Sequence, residues 1–172
     1  MKVLVTTIPF AEKCNRPIDL LQAIGIDYVI NPIGRKLTEE DLVKLISDFD
    51  IVIAGTEPIT EYVMSMADRL KFIVRVGIGL DNINLLAARE RNIHVSYTPD
   101  APSPAVSEMT IGLMLSLLRS TYISNEKMRH GEWYRFFGRR LSEVTIGIIG
   151  VGRIGSRVVR HLSGFECRRI LI

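Results

Sequence analysis

The chain has 172 residues, 47% of them hydrophobic and 24% charged, with 22 Lys+Arg against 19 Asp+Glu. That is the composition of a packed globular protein, and it excludes a disordered, collagen-like or low-complexity chain. The net charge of +3 hides an asymmetry: residues 1–118 carry a balance of −4 and residues 119–172 one of +7. A basic final third suits an anionic cofactor, nucleic acid or a plain solvated face, and charge alone does not choose among them. The longest apolar stretch, 111–118, is far too short for a membrane span and contains Gly112 and Ser116. Cys14 and Cys167 are the only cysteines, with neither metal spacing nor a disulfide framework, so a reducing, cytoplasmic setting is expected. No leader peptide fits ahead of Val3-Leu4-Val5.

Predicted strands at 3–7, 28–30, 51–54, 72–76 and 94–97 alternate with predicted helices at 18–24, 39–49, 61–67 and 84–91. The strands are continuous apolar runs, which implies cover on both faces. Thr38, Thr60 and either Asn82 or Asn84 are the expected helix caps. Repeated strand-then-helix order predicts a doubly wound, parallel α/β domain. Pro99, Pro102 and Pro104 then break the pattern and mark a boundary. The division is expected at 1–100 and 101–172. Beyond it the sequence predicts one long helix over 105–129, a loop over 131–140, a strand over 144–150, a helix over 153–162 and a strand over 168–172. An apolar final strand beside a single partner reads as an unfinished sheet.

The strongest chemical signal is Gly150-Val151-Gly152-Arg153-Ile154-Gly155. It follows the apolar run Ile146-Gly147-Ile148-Ile149 and opens a helical pattern, the setting that separates a dinucleotide turn from a chance GxGxxG. The first glycine permits the turn, the second lets the backbone approach a pyrophosphate, and the third allows close helix–strand packing. Free N–H groups at the helix start then face the phosphates. A kinase glycine loop would be followed by a strand and a Val-Ala-Ile-Lys lysine, and neither is present.

The second signal is Arg75-Val76-Gly77-Ile78-Gly79-Leu80-Asp81-Asn82-Ile83, at the carboxyl end of the fourth predicted strand. Open α/β sheets bind ligands at such ends. The segment reads either as a backbone nest for a carboxylate or as a plain capped turn.

These two segments, the proline-rich linker running into Ala105-Val106-Ser107-Glu108, and Met128-Arg129-His130-Gly131-Glu132-Trp133 occur in one order and spacing. Together they resemble the D-isomer-specific 2-hydroxyacid dehydrogenases, nearest the phosphoglycerate dehydrogenase branch. The resemblance implies a flavodoxin-like substrate domain followed by the first βαβ unit of a Rossmann domain. It implies that the backbone of Ile78 and Gly79 holds a substrate carboxylate, and that Gly150, Gly152, Arg153, Ile154 and Gly155 hold the pyrophosphate of NAD, with NADP open. It further implies a small 2-hydroxy or 2-oxo acid as substrate and a homodimer, with no nucleic acid and no membrane. The family's catalytic arginine, glutamate and histidine belong to the later Rossmann half, so no catalytic residue is assigned here. His94, His130 and His161 match none of those positions and read as structural. The stretch Ala54-Gly55-Thr56-Glu57-Pro58 departs from the branch, which carries Arg-Ser there, and a glutamate beside a phosphate is unfavourable.

Two other classes compete with the enzyme. One is a non-catalytic dinucleotide-binding module of the corepressor kind, since fold alone does not fix function. The other is single-strand nucleic-acid binding by Arg135, Phe136, Phe137, Arg139 and Arg140 beside Trp133 and Tyr134. At Glu166 the family commonly has glycine, and a positive φ there would cost about 1 kcal/mol.

Overall fold

The computed structural model describes all 172 residues, which fall into two compact units, Met1–Pro99 and Asp100–Ile172. In the first, strands β1 (Lys2–Val5), β2 (Asp27–Ile30), β3 (Ile51–Ala54), β4 (Phe72–Arg75) and β5 (His94–Tyr97) form one parallel sheet in the order β2-β1-β3-β4-β5. This is the flavodoxin-like order, whose direction of winding reverses between β1 and β3. Helices α1 (Arg16–Ala23), α2 (Glu39–Ile46), α3 (Glu61–Ser65) and α4 (Leu85–Glu90) connect successive strands.

Strand register lines up Val29, Leu4, Val52, Ile73 and Val95 on one face of the sheet. Leu42, Ile46, Val63, Met64, Ala87 and Ala88 of α2, α3 and α4 close over that row to make the core. Each fully buried aliphatic chain there contributes about 1.5–3 kcal/mol. Cover on both faces, the expectation for all five strands, holds best for β1. The edge strands β2 and β5 bury no residue, and Phe72 on β4 stays exposed. An edge strand has one neighbour only, and α1 buries none of its residues.

The helix starts follow from short polar side chains. Thr38 and Asp41 form a reciprocal capping box on α2: Asp41 N–H donates to Thr38 Oγ1 at 3.3 Å and Thr38 N–H to Asp41 Oδ2 at 3.0 Å. The Arg35 guanidinium, 2.6 Å away, together with the Thr38 N–H holds the Asp41 carboxyl down at about 2. Thr60 caps α3 and Asn84, not Asn82, caps α4.

The second unit contains α5 (Ser103–Arg119), α6 (Thr121–Arg129), a 3-10 turn at Leu141–Glu143, β6 (Thr145–Gly147), α7 (Arg153–Ser163) and β7 (Arg169–Leu171). β6 and β7 pair in parallel with α7 between them in sequence, a βαβ unit. Ile111, Leu141, Ile146, Val158 and Leu162 form its core. The single helix expected over 105–129 is instead two helices, because Ser120 adopts a left-handed conformation (φ 52°, ψ 37°). Its N–H returns to the carbonyl of Leu117, ending α5, while the Ser116 and Thr121 hydroxyls pair across the break at 2.5 Å. The helix also begins earlier than expected. Pro104 sits in its first turn, where a missing N–H costs nothing. Glu166 has φ 53°, so the strained turn anticipated from the sequence is present.

Candidate functional site

Two strand-to-helix turns carry the residues singled out by the sequence, one on each unit. The first follows β4. Gly77 has φ 150°, a conformation that suits glycine alone, and it lies against the guanidinium of the buried Arg75. A Cβ on Gly77 would stand 2.7 Å from Arg75 Cζ and 2.8 Å from Nη2. The Gly77 N–H donates to Thr98 Oγ1 at 2.8 Å, and the Thr98 N–H donates back to the Gly77 carbonyl at 3.0 Å. Thr98 is a positioning residue with no chemical signature in the sequence beyond its place beside Pro99. With Gly77 pinned, the N–H groups of Ile78 and Gly79 have no protein acceptor. Two successive free donors at the carboxyl end of a parallel strand are suited to a carboxylate.

Asn82 ties this turn to the one after β3. Its Nδ2 donates to the carbonyls of Glu57 at 2.7 Å and Gly55 at 3.3 Å. The Glu57 side chain is itself buried, 2% exposed, with Oε1 accepting from the Thr6 hydroxyl and from the Gly55 N–H at 3.0 Å. Arg75 donates from Nη1 to the Val76 carbonyl, while its buried Nε has no partner. A cavity of about 290 Å³ opens among Thr6, Lys36, Gly55, Glu57, Arg75 and Val76. It lies at the carboxyl ends of β1, β3 and β4, where the winding of the sheet reverses.

The second turn joins β6 to α7. Gly150 has φ 91°, and Gly152 is the residue ahead of the helix. A Cβ on Gly155 would overlap the Gly150 carbonyl oxygen and come within 3.7 Å of Ile148 Cγ2, so this glycine is required for helix and turn to meet. A Cβ on Gly150 or Gly152 would instead meet nothing within 4 Å. No side chain caps α7, and the N–H groups of Arg153, Ile154 and Gly155 have no protein acceptor. The chain therefore presents an open, glycine-lined surface over a row of free donors, and this fits a dinucleotide pyrophosphate. Arg153 is exposed beside it, whereas Arg157 is engaged with Asp100 at 2.8 Å.

The histidines stand elsewhere. His94 begins β5, at the strand end opposite Tyr97, and stacks on Phe72 with ring centroids 5.4 Å apart. His130 follows the last turn of α6. His161 Nε2 lies 3.2 Å from Ser107 Oγ, but that hydroxyl already donates to the Pro104 carbonyl at 2.7 Å. Ser107 therefore accepts from the histidine and is not activated by it. In the aromatic–arginine segment, Tyr134 packs edge-on to Phe136, Arg140 pairs with Glu143 at 2.7 Å, and Arg139 donates to the Glu143 carbonyl. Two of its three arginines are thus committed to the fold.

A flavodoxin-like parallel unit followed in the chain by a strand, a glycine turn and a helix makes this a two-unit α/β protein. The family model for the D-isomer specific 2-hydroxyacid dehydrogenase catalytic domain matches residues 3–162. The chain belongs to this family. It is 39% identical over 169 residues to D-3-phosphoglycerate dehydrogenase of Methanocaldococcus jannaschii, covering 96% of this chain and 30% of that one. It is 35% identical over 137 residues to hydroxypyruvate reductase of Thermotoga maritima, covering 78% and 45%. Among solved structures, an NAD+-bound 3-phosphoglycerate dehydrogenase of Entamoeba histolytica superposes with a TM-score of 0.80 at 31% identity, over 100% of this chain and 54% of that one. The chain thus spans between about a third and about half of the length of these relatives. Named dehydrogenases and reductases do not favour the non-catalytic alternative.

Proposed function

We propose that this chain provides the carboxylate seat and the pyrophosphate cradle of an NAD(P)-dependent oxidoreductase acting on a small 2-hydroxy or 2-oxo acid. The observation that carries the proposal is the pair of turns whose backbone donors have no protein acceptor: Ile78 and Gly79 after β4, and Arg153, Ile154 and Gly155 at the start of α7. On this reading Ile78 and Gly79 hold the substrate carboxylate, and Gly150, Gly152, Arg153, Ile154 and Gly155 hold the pyrophosphate. A nicotinamide, when bound, supplies the hydride chemistry. The hydroxyl proton must leave to a base as hydride leaves carbon. No histidine of this chain is assigned that role; His94 is at the end of its strand opposite Tyr97. The 172 residues therefore bind and orient, and are expected not to transfer hydride alone. The same reading has the whole protein work as a cytoplasmic homodimer.

Titration of the chain with NADH, followed by nicotinamide fluorescence, tests this directly. Saturable binding is expected, weakened at least tenfold by Gly152→Ala with the unfolding midpoint unchanged. Absence of binding to the folded chain would sink the cradle. Glycolate, followed by amide NMR, is expected to shift Ile78 and Gly79, and silence there would sink the carboxylate seat.

A further inference from the structure

The cavity beside the carboxylate seat contains an unusual pair of charges. Glu57 and Arg75 both line it, both are at least nine-tenths buried, and no ion pair joins them. A buried charge without its counter-charge is costly. Glu57 is only half satisfied: Oε1 takes the Thr6 hydroxyl and the Gly55 N–H, while Oε2 takes no donor from the protein and is not sealed off from the cavity. The Gly55 N–H donates to Oε1, so that oxygen acts as an acceptor, while the single Thr6 hydroxyl proton is shared between Oε1 and the Ile53 carbonyl. The loop that carries it is fixed by Asn82, which bonds the carbonyls on either side of Thr56, so Glu57 cannot swing away cheaply. The other polar residues of the lining are Thr7, Thr56, Arg75 with its orphaned Nε, and the exposed Lys36.

Val76 lines the cavity and directly precedes Gly77, and cavity and seat both lie at the carboxyl end of β4; on the carboxylate-seat reading the carbon chain of the ligand is taken to extend toward Glu57. What that chain is expected to carry follows from Oε2, to which the protein gives no donor. A hydroxyl would donate to Oε2 and complete it. A phosphate brings only acceptor oxygens and negative charge, and it would face a carboxylate that cannot leave. We propose that Glu57 is a specificity-determining residue that selects 2-hydroxy or 2-oxo acids bearing further hydroxyl groups and rejects those bearing a phosphate. This rests on the carboxylate-seat reading above. It runs against a simple transfer of substrate from the phosphoglycerate-named relatives.

The test measures dissociation constants for three probes on the whole chain by amide NMR: glycolate, D-erythronate and D-3-phosphoglycerate. Erythronate is expected to bind at least tenfold more tightly than phosphoglycerate, with shifts at Gly55 and Glu57 that glycolate does not cause. In Glu57→Gln, which keeps an acceptor for Gly55 but loses the charge, that ratio is expected to fall at least tenfold while glycolate affinity stays within twofold. A bracket that merely holds the loop would move all three constants together. If glycolate binds but phosphoglycerate equals or exceeds erythronate, the seat stands and the selection by Glu57 is wrong. If no probe binds, both fall. The three constants on the unaltered chain decide the matter even if the variant does not fold.

Discussion

The two glycine turns, to which the proposed function gives a similar task, are built in opposite ways. After β4, side chains hold the backbone in place: Arg75 lies under Gly77, Thr98 grips its N–H, and Asn82 ties the turn to the loop after β3. After β6 the backbone is nearly bare, with no side-chain cap and open space over Gly150 and Gly152. The difference follows the size of the ligand each would hold. A carboxylate offers two oxygens, so its seat gains from being rigid and narrow before binding. A pyrophosphate needs area and close backbone approach, which every added side-chain atom would obstruct. Glycine therefore has distinct jobs: conformation and clearance from Arg75 at 77, close packing at 155 and, on the proposed function, ligand clearance at 152.

That division predicts effects of different size and kind. Gly155→Ala should be the most damaging change, because its Cβ overlaps the Gly150 carbonyl oxygen and backbone must move. A loss of about 1–3 kcal/mol in denaturant unfolding is expected, the cost of overpacking, together with loss of NADH binding. Gly152→Ala should leave stability within about 0.5 kcal/mol, as for surface changes, and lose binding only. Equal destabilisation by the two variants would erase the distinction between packing and clearance. Gly77→Ala comes next, since it combines a glycine-only φ with a clash against a side chain that can give way. About 1–3 kcal/mol is expected, with glycolate affinity reduced. Retained affinity would show that the seat does not depend on the Arg75–Gly77 arrangement.

Much of this was legible from pattern alone. The four β-then-α alternations, the three caps and the strand–glycine–helix unit are local, and local chemistry specifies them: Thr38 with Asp41, Thr60, Asn84. What escaped left no composition or spacing to read. The break at Ser120 lacks glycine or proline, and it is stabilised by a hydroxyl pair that only the folded geometry brings together. Thr6 and Glu57 are 51 residues apart and Gly77 and Thr98 are 21, so neither bracket leaves a spacing to read. Glu57 stood out by its charge, but its burial and its half-filled carboxylate required the fold. Exposure of β2 and β5 was hidden because β-branched, apolar runs look alike at the centre and the edge of a parallel sheet.

Smaller effects sharpen the contrast. Thr98→Val removes the acceptor for the Gly77 N–H while leaving the Thr98 backbone bond in place. A cost of about 1–2 kcal/mol is expected, read as faster hydrogen exchange at Gly77, Ile78 and Gly79. Unchanged exchange there would mean that the turn is held by Arg75 alone.

The gentlest probe lies outside both turns. Glu166 is exposed and adopts φ 53°, where a side chain is disfavoured, and the preceding Phe165 N–H bonds to Leu162 to close the end of α7. Glu166→Gly removes that strain at the expense of a more flexible unfolded chain, for a net gain of about 0.5–1 kcal/mol. NADH affinity should not change. This isolates positive φ from ligand clearance, which are superimposed at Gly150, where φ is 91°. If Glu166→Gly stabilises as expected, strain alone is worth about that much, and any larger loss on replacing Gly150 by alanine must be assigned to its other roles. If it gains nothing, a left-handed residue is cheap in this unit, and the glycine at 150 is there chiefly for the ligand.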